Sequence, residues 1–181
     1  NRYVPDYFAA PNAPNGIIET LNSVDELVES ALPGDFILSR KNAPLMGIAL
    51  RLLREGTPAR VQGRDVGAGL KSVVRRLATK DAAHSLPVFL GKLKAWEDKQ
   101  VTRLRAMRKE DRIDAIYDQG DTLRALSQAA RSVPDLIARI ERLFADASTR
   151  PQVVCSTVHK AKGLEARRVF LLTETFRKQV Q

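Results

Sequence analysis

The sequence predicts an α/β protein in which a parallel β-sheet is flanked by helices and interrupted by an all-helical insertion. Three observations indicate this fold class. Short apolar runs alternate with amphipathic helical patterns over residues 16–78, as in sheets that helices cover on both faces. The pattern is purely helical over residues 79–150, and a strand pattern returns at Val153–Thr157.

Capping and turn signals define the first elements. Residues 1–15 contain three prolines and predict an irregular lead-in. Residues 17–21 form a short β-type run. Ser23 and Glu26 match the capping box of a following helix. The apolar run at residues 36–40 then predicts a buried parallel strand.

Three further elements complete the first α/β part. Asn42 is suited to cap the next helix, which is apolar on most sides and ends near Gly56. Residues 59–64 are a third strand candidate, and residues 67–78 are a third helix. Because strands and helices alternate with short loops, the connections favour a doubly wound parallel sheet.

The insertion consists of basic and amphipathic helices. Residues 85–109 predict one long basic helix with leucines at helical spacing. The pattern continues to Tyr117, breaks at Gly120, and resumes before a new helix that begins near Pro134. Trp96 lies on the basic helix, where a lone aromatic residue either packs in the core or stacks on a base.

A polar turn follows the strand pattern at Val153–Thr157. This strand and a second one at residues 168–173 bracket hydroxyl, imidazole, ammonium and carboxylate groups together with a glycine. A strand that delivers such groups to its carboxyl end is typical of phosphate-binding sites in open α/β sheets. The alternative is a solvated basic turn that binds nothing.

Composition restricts the partners and the compartment. Lys and Arg outnumber Asp and Glu by 30 to 21, which gives a net charge of +9. This charge favours a polyanion, with nucleic acid first and an anionic membrane surface second, and the ordinary alternative is that the charge only keeps the protein in solution. No apolar run is long enough to span a membrane, and the opening residues lack the layout of a signal peptide. The single cysteine, Cys155, excludes an intrachain disulfide and fits a reducing cytoplasm.

Two motifs resemble the UvrD-like superfamily 1 helicases. Motif V of that family consists of a hydroxyl residue, a His, an Ala-Lys-Gly-Leu-Glu core and an apolar strand. The residues that match it here are Ser156-Thr157-Val158-His159-Lys160-Ala161-Lys162-Gly163-Leu164-Glu165 and Val169-Phe170-Leu171. Residues 36–43 resemble motif IV, an apolar strand that ends in Arg40, followed by Asn42 and a helix. The two motifs occur in the family's order, and a helical insertion separates them as it does in the family.

The resemblance implies a role for each matched side chain. Arg40 would reach the γ-phosphate of ATP as an arginine finger. Glu165 would hydrogen-bond the ribose, and Gly163 would allow a close approach of the backbone. Thr157 and His159 would contact single-stranded DNA. Without the resemblance, a surface ion pair for Arg40 and a solvated acid at Glu165 are the ordinary alternatives.

Three more residues are candidates for contact with the DNA strand. Lys160 and Lys162 supply positive charge near phosphates. Asn42 either touches nucleic acid or only caps its helix. His159, taken alone, is more often a structural histidine.

The resemblance implies the second RecA-like domain of a helicase, built on a P-loop-NTPase-type parallel sheet. Its first part is residues 1–78, the accessory insertion is residues 79–150, and the domain returns at residues 151–181, before the family's motif VI. The opening without methionine suggests a piece of a longer protein. No Gly-x-x-x-x-Gly-Lys-Ser/Thr sequence occurs. An N-terminal RecA-like domain of the same protein would therefore hold most of the ATP and Mg²⁺, and this piece alone is not expected to hydrolyse ATP.

Two other functions remain open from the sequence. A non-enzymatic nucleic-acid-binding module would use the basic helix at residues 85–109 to contact phosphates, and it predicts strong, salt-dependent binding by the isolated chain. The helicase hypothesis predicts weak binding, because only half of the strand channel is present. A structural interaction domain predicts dependence on neither ATP nor DNA.

Overall fold

The computed structural model describes residues 12, 15–79, 85–145 and 149–176. Most of the predicted lead-in at residues 1–15 lies outside the described residues. In chain order the elements are α1 (Val24–Ser30), β1 (Phe36–Ser39), α2 (Asn42–Arg54), β2 (Ala59–Val61), α3 (Arg64–Leu77), α4 (Leu86–Ala106), α5 (Ile113–Gln128), α6 (Val133–Leu143), β3 (Val153–Thr157) and β4 (Val169–Leu171). Short 3-10 segments at Glu110–Arg112 and Thr173–Phe176 follow α4 and β4.

The described strands form one parallel sheet in the order β2-β3-β1-β4. β1 pairs with β3 on one side and with β4 on the other, and β2 pairs with the far side of β3. Every residue of β3 is buried, as expected for a central strand that helices cover on both faces. The predicted fold class, α/β with a parallel sheet flanked by helices, is confirmed.

The β-type run at residues 17–21 is not a strand, so this prediction is wrong. Ile17 and Ile18 are 86% and 97% exposed, and the segment pairs with none of the strands in the described ranges. An apolar run becomes a strand only where a neighbouring strand satisfies its backbone hydrogen bonds. The local pattern contains no information on whether that neighbour is present.

Side-chain caps start α1 and α6 where the sequence predicts them. Ser23 Oγ accepts a hydrogen bond from the Glu26 N–H at 3.1 Å, and the Asn22 N–H donates to the Glu26 carboxylate at 2.8 Å. Ser132 Oγ accepts from the Asp135 N–H at 3.3 Å in the same way. These bonds satisfy N–H groups that a helix cannot pair internally.

The predicted helix break at Gly120 is also wrong, because α5 runs through this residue. Gly120 faces α4, and a β-carbon on it would lie 1.7 Å from Glu97 Oε1. Glu97 is 1% exposed, and its carboxylate pairs with Arg124 of α5. The glycine therefore makes room for a neighbouring helix and does not form a turn.

One hydrophobic core contains residues of the sheet and of the helices α4, α5 and α6. Ile37 of β1 and Cys155 of β3 belong to the same buried cluster as Phe89 of α4 and Leu123 of α5. Trp96 is 9% exposed and packs in this cluster, which favours its core alternative over base stacking. The helices thus cover the sheet and share its interior.

Candidate functional site

The carboxyl ends of β1 and β3 lie side by side at one edge of the sheet. Ser39 and Thr157 end the two strands in register, and the Val158 N–H donates to the Ser39 carbonyl oxygen at 3.0 Å. Because the strands are parallel, the residues that follow them emerge at the same edge. This arrangement sets Arg40 beside the turn at residues 158–165, although the two are far apart in sequence.

Arg40 combines a fixed backbone with an open side chain. Its N–H donates to Thr175 Oγ1 at 3.0 Å, in the 3-10 segment that follows β4. The residue is exposed, and its guanidinium has no hydrogen-bond or ion-pair partner within the described ranges. The backbone of Arg40 is thus fixed at the end of a parallel strand, while its guanidinium is available to an anion.

The turn after β3 is held together by its backbone. The Thr157 carbonyl oxygen accepts hydrogen bonds from the N–H groups of Lys160 and Ala161, each at 3.0 Å. Gly163 has a φ of 80°. Glycine adopts this left-handed conformation without strain, because it has no β-carbon to clash with the backbone. The turn therefore has a defined shape onto which its side chains are mounted.

Three polar side chains of this turn are exposed: His159, Lys162 and Glu165. None of them has a hydrogen-bond or ion-pair partner among the residues that the structure describes. Thr157 is 7% exposed, so it offers a ligand much less surface than His159 does. An exposed imidazole, ammonium and carboxylate together suit contacts with phosphate oxygens and sugar hydroxyls.

Lys160 points to the connection between β2 and α3. Its Nζ lies 2.7 Å from Asp65 Oδ2, and the hydrogen bond from Lys160 holds the pKa of Asp65 below its usual value. Gln62 Nε2 donates to the Lys160 carbonyl oxygen at 3.5 Å. The ion pair ties α3 to the turn and engages the Lys160 ammonium group, whereas Lys162 has no acidic partner among the described residues.

The motif pattern identifies neither Gln62 nor Asp65 as a partner of the turn. Gly63 lies between them with a φ of 129°, and a β-carbon there would lie 3.2 Å from Lys160 Cδ. A glycine between a strand and a helix was therefore the available signal of a close approach. Which segment approaches depends on β2 lying next to β3, which the local sequence does not specify.

Asn42 does not cap α2, contrary to one of its two predicted roles. The N-cap residue is Lys41, whose side chain makes no capping bond. Asp118 of α5 supplies the cap, because its carboxylate accepts from the N–H groups of Asn42 at 2.9 Å and Ala43 at 3.3 Å, and from Asn42 Nδ2 at 2.8 Å. An anion is favoured at the positively polarised start of a helix. The amide of Asn42 is therefore engaged inside the protein.

Comparisons of the chain with protein-family models, with curated proteins and with solved structures find no match. In the described ranges, no three His, Cys, Asp or Glu side chains come together in a way that could hold a metal ion. Of the helices described, none has the length and apolar character that a membrane crossing requires.

Proposed function

We propose that the chain is the second RecA-like lobe of an ATP-dependent DNA helicase or translocase similar to the UvrD-like superfamily 1 enzymes. The observation that carries the proposal is the pairing of β1 with β3, which sets Arg40 beside the turn at residues 158–165. Phosphate ligands of open α/β sheets bind at this edge. The net charge of +9 supports a nucleic acid as the partner. A cytoplasmic location, where ATP and DNA are both available, follows from the proposal.

In this proposal Arg40 completes an ATP site that faces a first RecA-like lobe of the same protein. That lobe holds most of the nucleotide and the Mg²⁺, since the lysine-bearing phosphate loop does not occur in this sequence. Arg40 suits the γ-phosphate because its guanidinium is exposed and lacks an acidic partner in the described ranges. It donates to the phosphate oxygens, where charge develops during transfer. Glu165 accepts hydrogen bonds from the ribose hydroxyls, and Gly163 lets the backbone come close.

The contacts to single-stranded DNA come from the same turn. His159 and Lys162 are exposed and donate to phosphate oxygens, while Thr157 lies behind them at the end of β3. Lys160 and Asn42 are already bonded to carboxylates of α3 and α5, so they contribute less. ATP provides the free energy for closure of the two lobes, and the contacts are made and released along the strand once in each cycle.

Arg40→Ala tests the proposal in the longer protein that it requires, by single-strand-stimulated ATP hydrolysis. We expect kcat to fall by about 10³-fold, because arginine fingers contribute roughly that much or more to phosphoryl transfer. Arg54→Ala is the matched control, since Arg54 is also exposed and has no partner within the described ranges, but lies at the other end of α2. Unchanged turnover in a folded Arg40→Ala protein would refute the role of this edge.

Glu165→Gln tests the ribose contact separately from the phosphate contact. We expect KM for ATP to rise about tenfold with little change in kcat, because a charged acceptor for the sugar hydroxyls is lost. The ratio of kcat/KM for ATP to that for dATP should fall by a similar factor. Steady-state kinetics with both nucleotides measure this, and an unchanged ratio of their kcat/KM values would contradict the assignment.

A further inference from the structure

The end of α4 projects beyond the core. α4 buries Phe89, Leu93, Trp96 and Val101 in the core, and no residue of α4 after Val101 is buried. Over residues 102–112, which we call the α4 tip, only Leu104 is partly covered and every other residue is exposed. A helix end with no core to cover is free to meet a partner.

The α4 tip and the turn before it are rich in unpaired cations. Elsewhere, basic residues such as Arg51, Lys94 and Arg124 pair with acids. Residues 99–112 contain six cations and two acids, Glu110 and Asp111, yet in the described ranges no hydrogen bond or ion pair engages the side chains of these six. The six are Lys99, Arg103, Arg105, Arg108, Lys109 and Arg112.

Arg108 also occupies a backbone position that favours glycine. The Lys109 N–H donates to the Leu104 carbonyl at 2.9 Å, and the Arg108 N–H donates to the Arg105 carbonyl at 3.0 Å. This pair of bonds is the Schellman motif, in which Arg108 stands at the position after the helix cap where glycine is usual. Its φ is 53°, and it is the one non-glycine residue with positive φ among those described. Because this conformation strains the backbone of any residue but glycine, we take Arg108 as a candidate for a functional side chain.

We propose that the α4 tip is a binding site for the phosphate backbone of nucleic acid, with Arg108 and Lys109 at its centre. The cations lie along the last two or so turns of α4 and the segment that follows it, a length of roughly 15–20 Å that spans several phosphates. The site lies on the helical insertion, and it requires neither ATP nor Arg40. It therefore goes beyond the nucleotide and strand contacts assigned to the sheet edge.

The first experiment measures binding of the 181-residue chain to a fluorescent oligonucleotide over a series of salt concentrations. The variant Arg108→Gln/Lys109→Gln is compared with Arg75→Gln/Arg76→Gln, which removes the same charge from exposed residues at the end of α3. We expect the tip variant to bind about tenfold more weakly, with a salt slope lower by about 1.4 for a single strand and about 1.8 for a duplex. The α3 variant should keep the slope of the wild type.

The comparison of single strand with duplex identifies which form supplies the phosphates. A tip variant that binds like the wild type overturns the proposal. Equal losses in both variants also overturn it, because they would reflect net charge alone. Binding to vesicles of anionic lipid that exceeds binding to the oligonucleotide would assign the tip to a membrane surface and would overturn it as well.

The second experiment uses Arg108→Gly, which relieves the backbone and removes one charge. We expect the thermal midpoint of unfolding to rise by a few degrees while the affinity for the oligonucleotide falls about fivefold. A residue with a purely structural role would not show these opposite changes. A lower midpoint, or a higher one with unchanged affinity, contradicts the proposal. Both experiments contain no ATP, and the chain alone is not expected to hydrolyse it, so this site and the proposed ATP function can fail separately.

Discussion

At the scale of single residues, Gly120 decides whether α4 and α5 can share a buried ion pair. A β-carbon at this position would lie 1.7 Å from Glu97 Oε1 and 2.6 Å from its carboxyl carbon. Gly120→Ala must displace the Glu97 carboxylate from Arg124, and we expect the free energy of unfolding to fall by about 3 kcal/mol. Urea denaturation followed by circular dichroism measures this change.

Gly91 provides the control for that substitution. It lies within α4, and a β-carbon there would meet nothing within 4 Å. Gly91→Ala should therefore stabilise the protein by up to about 1 kcal/mol, since alanine is the better helix former. If both alanine variants were equally stable, the packing of Glu97 against Gly120 would be wrong. The sequence alone favours a break at Gly120, because the residue that needs its space belongs to another helix.

At the scale of elements, the contact between α5 and the start of α2 connects the helical insertion to the candidate site. Asp118 caps the helix that follows Arg40, so Asp118→Ala leaves the first N–H groups of α2 without an acceptor. We expect a loss of about 1–2 kcal/mol in the free energy of unfolding, the usual effect of removing a cap. Asp118→Asn keeps a capping oxygen, so its loss in the free energy of unfolding should be less than half of that for Asp118→Ala. Equal stabilities of the alanine variant and the wild type in urea would exclude this cap.

The strands show how far a local pattern predicts an element. β1 and β3 are short apolar runs, and they are strands because each has a neighbour on both sides. The run at residues 17–21 has the same local character and stays exposed. β4 lies between these two cases, because it pairs with β1 on one side while its Val169 and Leu171 remain half exposed. Pattern predicts a tendency to form a strand, and the available partner decides the outcome.

At the scale of the whole molecule, the sheet brings two motifs that are far apart in the sequence to one edge. Arg40 and the turn at residues 158–165 meet because β1 and β3 are neighbours. The residues that hold this edge in place, Asp65 and Asp118, come from α3 and α5. No motif identifies them, since they act through tertiary packing and not through a spacing along the chain. Of the side chains that the motifs name, Arg40, His159, Lys162 and Glu165 are exposed at this edge. Thr157 is buried, and Lys160 and Asn42 are bonded to carboxylates of other elements, which depends on tertiary packing that the motifs do not encode.

The continuous core leads to a last prediction, that the sheet and the helices unfold together. The single tryptophan, Trp96, lies in α4, and the single cysteine, Cys155, lies at the centre of the sheet. Burial raises the pKa of the Cys155 thiol to about 12, so the thiol should resist labelling at pH 8 until β3 is exposed. Because both residues belong to one buried cluster, the urea midpoints of thiol labelling and of Trp96 fluorescence should coincide. Labelling at lower urea would mean that the sheet opens first, and an earlier change in fluorescence would mean that the helices from α4 to α6 form a separate folding unit.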